Sequence, residues 1–586
     1  MSTDYRKNEE ITLEITDLGA EGEGIGRTDA FLWFVKDALP GDRIRASVMK
    51  TKKSYGYARL KEVLTPSPDR IAPACPIARA CGGCTLQAMD YAAQLKFKEN
   101  KVLNNLRRIG GLDLSGVNCH PIRGMEDPFR YRNKAQFPVG TDKAGKPVAG
   151  FYAGRTHSII PCEDCLLGTE ENREILKTVL DWMEEFHVPA YDEAAGTGIV
   201  RHILIRKGFK SGQIMVCLVT NGEGVPQAED RRRADKNRDG RTSRGRRNDQ
   251  AGKDVWGVLS DRLMALPGVT TVVQNLNRER TNVILGKETR VLAGPGFITD
   301  TIGDTEFEIS AQSFYQVNPV QTEVLYGTAL KYAGLTGKEN VWDLYCGIGT
   351  ISLFMAKQAK KVYGDETVPQ AIEDARRNAV RNGICNAEFF VGKAEEVLPA
   401  WYAEQQRNPE AAREKIDVIC VDPPRKGCDE ACLQTMLQVA PERIVYVSCD
   451  SATLARDLKY LLADGRYTLK EVQPVDMFPQ TVHVETVCLL SKLSEVKNHI
   501  SVKVDMNEMD LTAAESKATY QEIKEWVKEK YGFHVSHLNI AKTKRKCGII
   551  ERQNYNLPKS EDSRSPEIPK EKEEAIIAAF KAFRMI

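Results

Sequence analysis

No apolar run in this 586-residue chain reaches the ~18 residues that a membrane-spanning helix requires. The first ten residues, MSTDYRKNEE, carry no apolar core for export, so the expectation is a cytoplasmic protein without membrane association. There is no excess of charge of one sign either: 83 Lys and Arg against 81 Asp and Glu leave +2. A surface for a polyanion must then come from local clustering rather than from a global field. With 42% hydrophobic and 28% charged residues, the composition excludes a chain that stays disordered throughout. What is present in number is cysteine, fifteen residues in all. In a reducing compartment these read as metal ligands, nucleophiles or small core residues rather than disulfides.

The length implies several domains, since one core stops growing well below this size. Residues 5–64 alternate apolar and polar positions in short runs such as ITLEITDL, FLWFVKDAL and DRIRASVMK, which predict a five-strand barrel of the oligonucleotide-binding kind. Lys50, Lys52, Lys53 and Arg59 fall beside Tyr55 and Tyr57. That pairing suits a single-stranded nucleic acid, or is a plain solvated barrel edge. Residues 65–311 form a mixed α+β region that opens with a proline-rich linker and a cysteine cluster. It is interrupted at about 228–254 by the tract RRRADKNRDGRTSRGRR, expected as a disordered insertion that either is solvated or touches phosphate. From 312 to 493 strands alternate with helices, which predicts an α/β, Rossmann-like, doubly wound sheet with its ligands at the carboxyl ends of the strands. Residues 500–586 are a small, mainly helical extension whose role the sequence leaves open.

The strand NVWDLYC opens onto Gly347, Ile348, Gly349 and Thr350. This turn is shorter than the dinucleotide GxGxxG that cradles a pyrophosphate. It suits a ligand without phosphate, such as S-adenosylmethionine. Glu366 follows 23 positions after Asp343, about where a carboxylate accepts the ribose hydroxyls, with Asp365 as the adjacent competitor.

The next strand ends in Asp422, Pro423, Pro424 and Arg425. An aromatic fourth residue would suit methylation of exocyclic amines, and a Pro-Cys would suit cytosine C5. Both are missing, which leaves uracil C5. The strand RIVYVSC then delivers Cys449 just before a helix, a position that lowers a thiol's pKa and favours the thiolate, with a buried cysteine that merely caps the strand as the plain alternative. Uracil C5 becomes nucleophilic only after something adds to C6, and a thiolate is the natural adding group. A base must later remove the C5 proton. The strand HVETVCLL offers Glu485, whose apolar neighbours should raise its pKa. His483, read as two residues earlier on the same strand face, is the rival, and a charged residue on a half-exposed edge strand is the plain alternative for Glu485.

With these residues in view, the chain resembles the RNA uracil-C5 methyltransferases, and within them the 23S rRNA branch that carries an amino-terminal TRAM domain and an iron–sulfur cluster. The resemblance covers residues 5 to 493 and rests on FYQVNP, DLYCGIGT, DPPRKG, VSCDSATLARDL and DMFPQTVHVETV. It implies a class I methyltransferase domain in which Gln316, Tyr345, Glu366 and Asp422 contact S-adenosylmethionine, Cys449 is the nucleophile and Glu485 the proton acceptor. Thr350 stands where many members have asparagine, and Asp450 and Ser451 replace the commoner Asn-Pro. The resemblance also implies that Cys75, Cys81 and Cys84 ligate a [4Fe-4S] cluster, with the fourth ligand from the PCEDC segment, Cys165 rather than Cys162. Spacing alone leaves zinc open. The implied protein is a monomer acting on 23S rRNA. A tRNA uridine is the rival substrate, and a non-catalytic RNA-binding or ribosome-assembly protein is the rival class.

Overall fold

The computed structural model describes residues 5–29, 31–154, 156–224, 254–407, 414–493, 520–547 and 569–582. Residues 225–253, which carry the basic insertion, lie outside the described residues, as do long stretches of the carboxyl-terminal extension.

Five strands, Glu10–Leu18, Gly24–Thr28, Phe31–Lys36, Arg43–Thr51 and Tyr55–Thr65, close into a barrel in the order first, second, third, fifth, fourth. Alternation drives the closure: Ile11, Leu13 and Ile15 point inward from the first strand while the residues between them face solvent. Trp33 fills the centre, and Gly56 is required beside it, since a Cβ there would meet the indole at 2.4 Å. On the outside Phe34, Tyr55 and Tyr57 cluster with ring centroids 5.7 to 5.8 Å apart. Lys50 is registered opposite Tyr57, so this one of the expected cations shares a face with the aromatic rings, while Lys52 and Lys53 lie beyond the strand end at Thr51.

The central region builds a seven-stranded sheet. One face is covered by the helices Asn172–Glu185 and Val255–Met264, with Trp182 fully buried between them. From the other face Leu204 and Cys217 join the same apolar cluster as Ala329 and Val341 of the following region, so the two regions share a core.

The third sheet runs, edge to edge, Ala387–Val391, Lys361–Glu366, Asn340–Leu344, Val418–Val421, Arg443–Ser448, Glu485–Lys492, Tyr467–Val475 and Asn118–Cys119. The first five strands are parallel and Glu485–Lys492 enters antiparallel between two neighbours. The edge-strand alternative for Glu485 is thereby overturned: its strand is paired on both sides. Strand order reverses between Asn340–Leu344 and Val418–Val421, and ligands of open α/β sheets sit at such a reversal.

Residues Glu495–Ile586 form a unit of their own. Its helices Tyr520–Tyr531, His537–Lys546 and Lys570–Ala582 bury Ile523, Val527, Ile540, Ile576 and Phe580 together.

Candidate active site

Leaving the strand Asn340–Leu344, the chain turns through Tyr345 at φ 64°, Gly347 at φ 56° and Gly349 at φ 82° before the helix Thr350–Ala356 begins. Left-handed backbone at a tyrosine is strained and is held only by its surroundings. Gly349 has no alternative, because a Cβ there would also press on Ala375 at 3.2 Å. Over this turn lies a cavity of about 690 Å³. Gln316, Tyr345, Glu366 and Asp422 all line it, and so do Cys449 and Glu485. Residues far apart in the chain therefore share one space.

The two adjacent carboxylates at the end of Lys361–Glu366 are separated by their partners. Asp365 accepts from the Trp342 indole nitrogen at 2.6 Å and is buried, and that burial pushes its pKa up to about 7. Glu366 is half-buried at the cavity wall, with one oxygen accepting from the amide of Val368 at 2.9 Å. Both line the cavity, and Glu366 is the more exposed of the two. Asp343, which the sequence marks only by its spacing from Glu366, also lines the cavity. Ser352 donates to one of its oxygens while the other has no partner, and burial pushes its pKa up to about 8. Asp422 is pushed up to about 6 by the same cause.

Cys449 follows the strand Arg443–Ser448 and precedes the helix Ser451–Leu462. The expected depression of its pKa is not what the site produces. Asp450 is the helix cap, and its carboxylate takes the amides of Ala452 and Thr453 at 2.9 and 3.0 Å. The helix end is thus already satisfied. Burial, followed by Glu485 and Asp422, pushes the thiol up to about 12 against the opposing pull of Arg425.

The last registered pair of the antiparallel strands is Ser448 with Thr486. One step outward sets Cys449 across from Glu485, and directly opposed residues bring their Cβ atoms to about 5 Å. Glu485 is only 4% exposed, its Oε2 has no partner, and burial with the nearby Asp422 carboxylate holds its pKa well above the usual range. The direction agrees with the expectation. His483 does not lie on the strand, which begins at Glu485. It precedes it in an irregular segment, its ring 6.1 Å from that of Phe478 in an edge contact, with burial lowering its pKa. It still lines the cavity.

What aims Glu485 was not visible in the sequence. The segment leading into its strand is clamped by the helix Tyr91–Arg108. Lys98 reaches Asp476 at 2.5 Å and the carbonyl of Phe478 at 3.0 Å, with both charged side chains fully buried. Tyr91 donates to Asp476 at 2.8 Å, and Gln94 pairs with Gln480. Phe314 and Arg132 were missed as well. Both line the cavity, and Phe314 keeps 64% of its surface exposed there.

The cysteine cluster is a second locus. Cys75, Cys81, Cys84, Cys162 and Cys165 line one small cavity. Burial and mutual repulsion push Cys84 and Cys162 up to about 12. Arg130 fixes the turn that brings the last two, bonding Asp164 at 2.6 and 2.7 Å and the Cys165 carbonyl at 3.1 Å. Among the described residues no group of His, Cys, Asp or Glu is closed into a coordination sphere. The donor set nevertheless fits a thiophilic metal, since a metal displaces the protons that burial keeps on these sulfurs. Cys162 is the buried member, whereas the other four are half-exposed.

Residues 285–493 match the family model described as tRNA (uracil-5-)-methyltransferase, and residues 6–61 match the TRAM domain. The chain is 48% identical over 493 residues to an uncharacterized RNA methyltransferase of Halalkalibacterium halodurans, covering 84% of this chain and 98% of that protein. It is 46% identical over 490 residues to another from Clostridium acetobutylicum, with the same coverage of both. Among solved structures, the tRNA (uracil-54, C5)-methyltransferase of Pyrococcus abyssi in complex with S-adenosyl-L-homocysteine aligns at a TM-score of 0.60 and 25% identity, over 82% of this chain and all of that one. No helix among the described residues is long and apolar enough to cross a membrane.

Proposed function

The chain belongs to the S-adenosylmethionine-dependent RNA uracil-5-methyltransferases with an amino-terminal TRAM domain, and on that premise we propose that it methylates C5 of a uridine in 23S rRNA through Cys449 and Glu485. The observation that carries the proposal is the opposition of thiol and unpartnered carboxylate inside the cavity that Gln316, Tyr345, Glu366 and Asp422 also line.

S-adenosylmethionine supplies an electrophilic methyl group and a positive sulfonium, which the carboxylates of the cavity are placed to offset. Cys449 loses its proton to solvent water and adds through sulfur to uracil C6, so that the ring electrons become available at C5. C5 takes the methyl group as the sulfonium–methyl bond breaks to leave S-adenosylhomocysteine, and C5 then carries both methyl and hydrogen. Glu485 removes that hydrogen as a proton, the C5–C6 double bond re-forms, and the sulfur leaves. A carboxylate held well above its usual pKa by burial and by Asp422 is a stronger base than an ordinary carboxylate, which matches it to this task. The base must be unstacked to reach the thiol, which costs a few kcal/mol and least in unpaired RNA. The cation-and-aromatic face of the barrel is suited to hold such a strand.

Cys75, Cys81, Cys84 and Cys165 would hold a [4Fe-4S] cluster that cross-links this part of the fold and positions RNA. Equal amounts of iron and sulfide in protein purified without oxygen support it, and zinc in their place rejects it.

The function is tested with labelled S-adenosylmethionine and RNA. Label on uridine C5 of 23S rRNA, and a covalent complex trapped by 5-fluorouridine RNA, are the expected results. Label on cytidine or adenosine rejects the reaction. The Pyrococcus abyssi neighbour acts on tRNA, which makes tRNA the second substrate to offer; label there and not on 23S rRNA moves the assignment. RNA binding without any methyl transfer favours the non-catalytic reading.

A further inference from the structure

Several buried and half-buried cations in this molecule are neutralised by a carboxylate. Lys98 has Asp476, Arg70 has Asp42, Lys207 has Glu171 and Arg130 has Asp164. A group of three beside the cavity is not. Lys134 and Arg206 are registered opposite each other in antiparallel strands. Arg132 precedes that strand, bridged to Gly168, and stands close enough to Lys134 for its charge to act on the ammonium. Among the described residues none of the three has a carboxylate partner, and the ammonium of Lys134 has no hydrogen bond at all.

The group meets the cavity through Arg132, the member of the three that lines it. Arg206 is buried, and its guanidinium donates to the carbonyls of Ala311 and Ser313 while Nε has no partner. Those carbonyls head the segment that carries Phe314 and Gln316 into the cavity wall. Asn133 ties the same segment to the cations, its side chain donating to the Gln316 carbonyl at 2.8 Å and its amide to the Val317 carbonyl at 2.9 Å. Arg132 itself lines the cavity. Burial, then Arg206 and Arg132, lowers the pKa of Lys134 to about 8. Three like charges held together without a counter-ion disfavour the fold unless an anion joins them.

Arg132 lines the same cavity as Phe314, Cys449 and Glu485, so an anion held there would lie beside the base that enters it. We propose that Arg132 and Lys134, backed by Arg206, form a subsite for a backbone phosphodiester next to the target uridine, gripping the strand while the base passes Phe314 into the cavity. This rests on the reading that the substrate is RNA.

The test uses the full chain and fluorescein-labelled octauridylate, with affinity read by anisotropy from 50 to 300 mM KCl. Removing one cation that pairs with a phosphate should flatten the slope of log K against log salt by about 0.7. Arg132→Gln and Lys134→Gln should each show that change, and Arg132→Lys should restore the slope. Unchanged slopes in folded variants that still bind S-adenosylhomocysteine overturn the proposal. If the variants do not fold, octauridylates with a single neutral methylphosphonate linkage give the answer on the unaltered protein. One linkage should then weaken binding several-fold, and equal tolerance at every linkage overturns the proposal. Binding is read without turnover. A protein that shows the effect but never methylates uridine sinks the function alone, while methylation with unchanged slopes sinks the subsite alone.

Discussion

Cys449 stands across from Glu485, one residue beyond the pair Ser448 and Thr486 that ends the registered ladder between their strands. Past that point the two chains no longer need each other's hydrogen bonds, and two side chains that would be unwelcome in a continuous sheet face a cavity instead. Burial raises both pKa values, with Glu485 and Asp422 adding to the rise at the thiol and Asp422 to the rise at Glu485.

Cys449→Ala should abolish uridine methylation, by on the order of 10³-fold or more, as removal of a covalent nucleophile does. It should also end trapping by 5-fluorouridine RNA while leaving S-adenosylmethionine binding in place. Methylation within tenfold of the unaltered protein would reject the thiol's role.

A thiol pushed up to about 12 is protonated in the free protein at neutral pH. Its alkylation by iodoacetamide, followed on the Cys449 peptide by mass spectrometry, should therefore rise about tenfold per pH unit from 7 to 9 without levelling. A plateau near pH 7 would mean a depressed thiol.

Glu485→Gln removes the proton acceptor without changing the shape of the site. Turnover should fall by about 10² to 10⁴, and the covalent RNA adduct should accumulate on denaturing gels with ordinary uridine RNA. Absence of the adduct would assign Glu485 to an earlier step.

Asp422 is neutral below its raised pKa of about 6 and charged above it. A cationic ligand favours the charged form, so S-adenosylmethionine affinity measured by calorimetry should increase as pH rises from 5 to 7, with protons released on binding. Asp422→Asn should flatten the dependence. A flat profile in the unaltered protein would place the sulfonium elsewhere.

Lys98 and Asp476 are fully buried, and removal of one member of such a pair leaves an uncompensated charge. Lys98→Met should destabilise the protein by about 3 to 5 kcal/mol in denaturant unfolding. Adding Asp476→Leu should recover much of that stability. Methylation should remain low in the double variant, because the segment before Glu485 has lost its clamp; full activity there would show that the pair is only structural.

The parallel strands, the helices after them and the glycine turn were readable from the chain, because a run such as RIVYVSC or a turn such as Cys346–Gly349 expresses local sterics and apolar periodicity. The alternation in the first 64 residues was readable for the same reason. Proximity in sequence misled where side chains had to be assigned partners. Cys449 lies next to a helix end, yet Asp450 takes the helix amides and buried carboxylates set the acidity of the thiol. His483 is two residues from Glu485 but off the strand. The clamp from Lys98 bridges 378 positions, and the segment bearing Phe314 rests on Arg206, 107 positions before Ser313. Backbone preference is carried residue by residue along the polymer and survives without the fold. The charge state of a buried group depends on which distant atoms exclude water from it, and packing alone decides that.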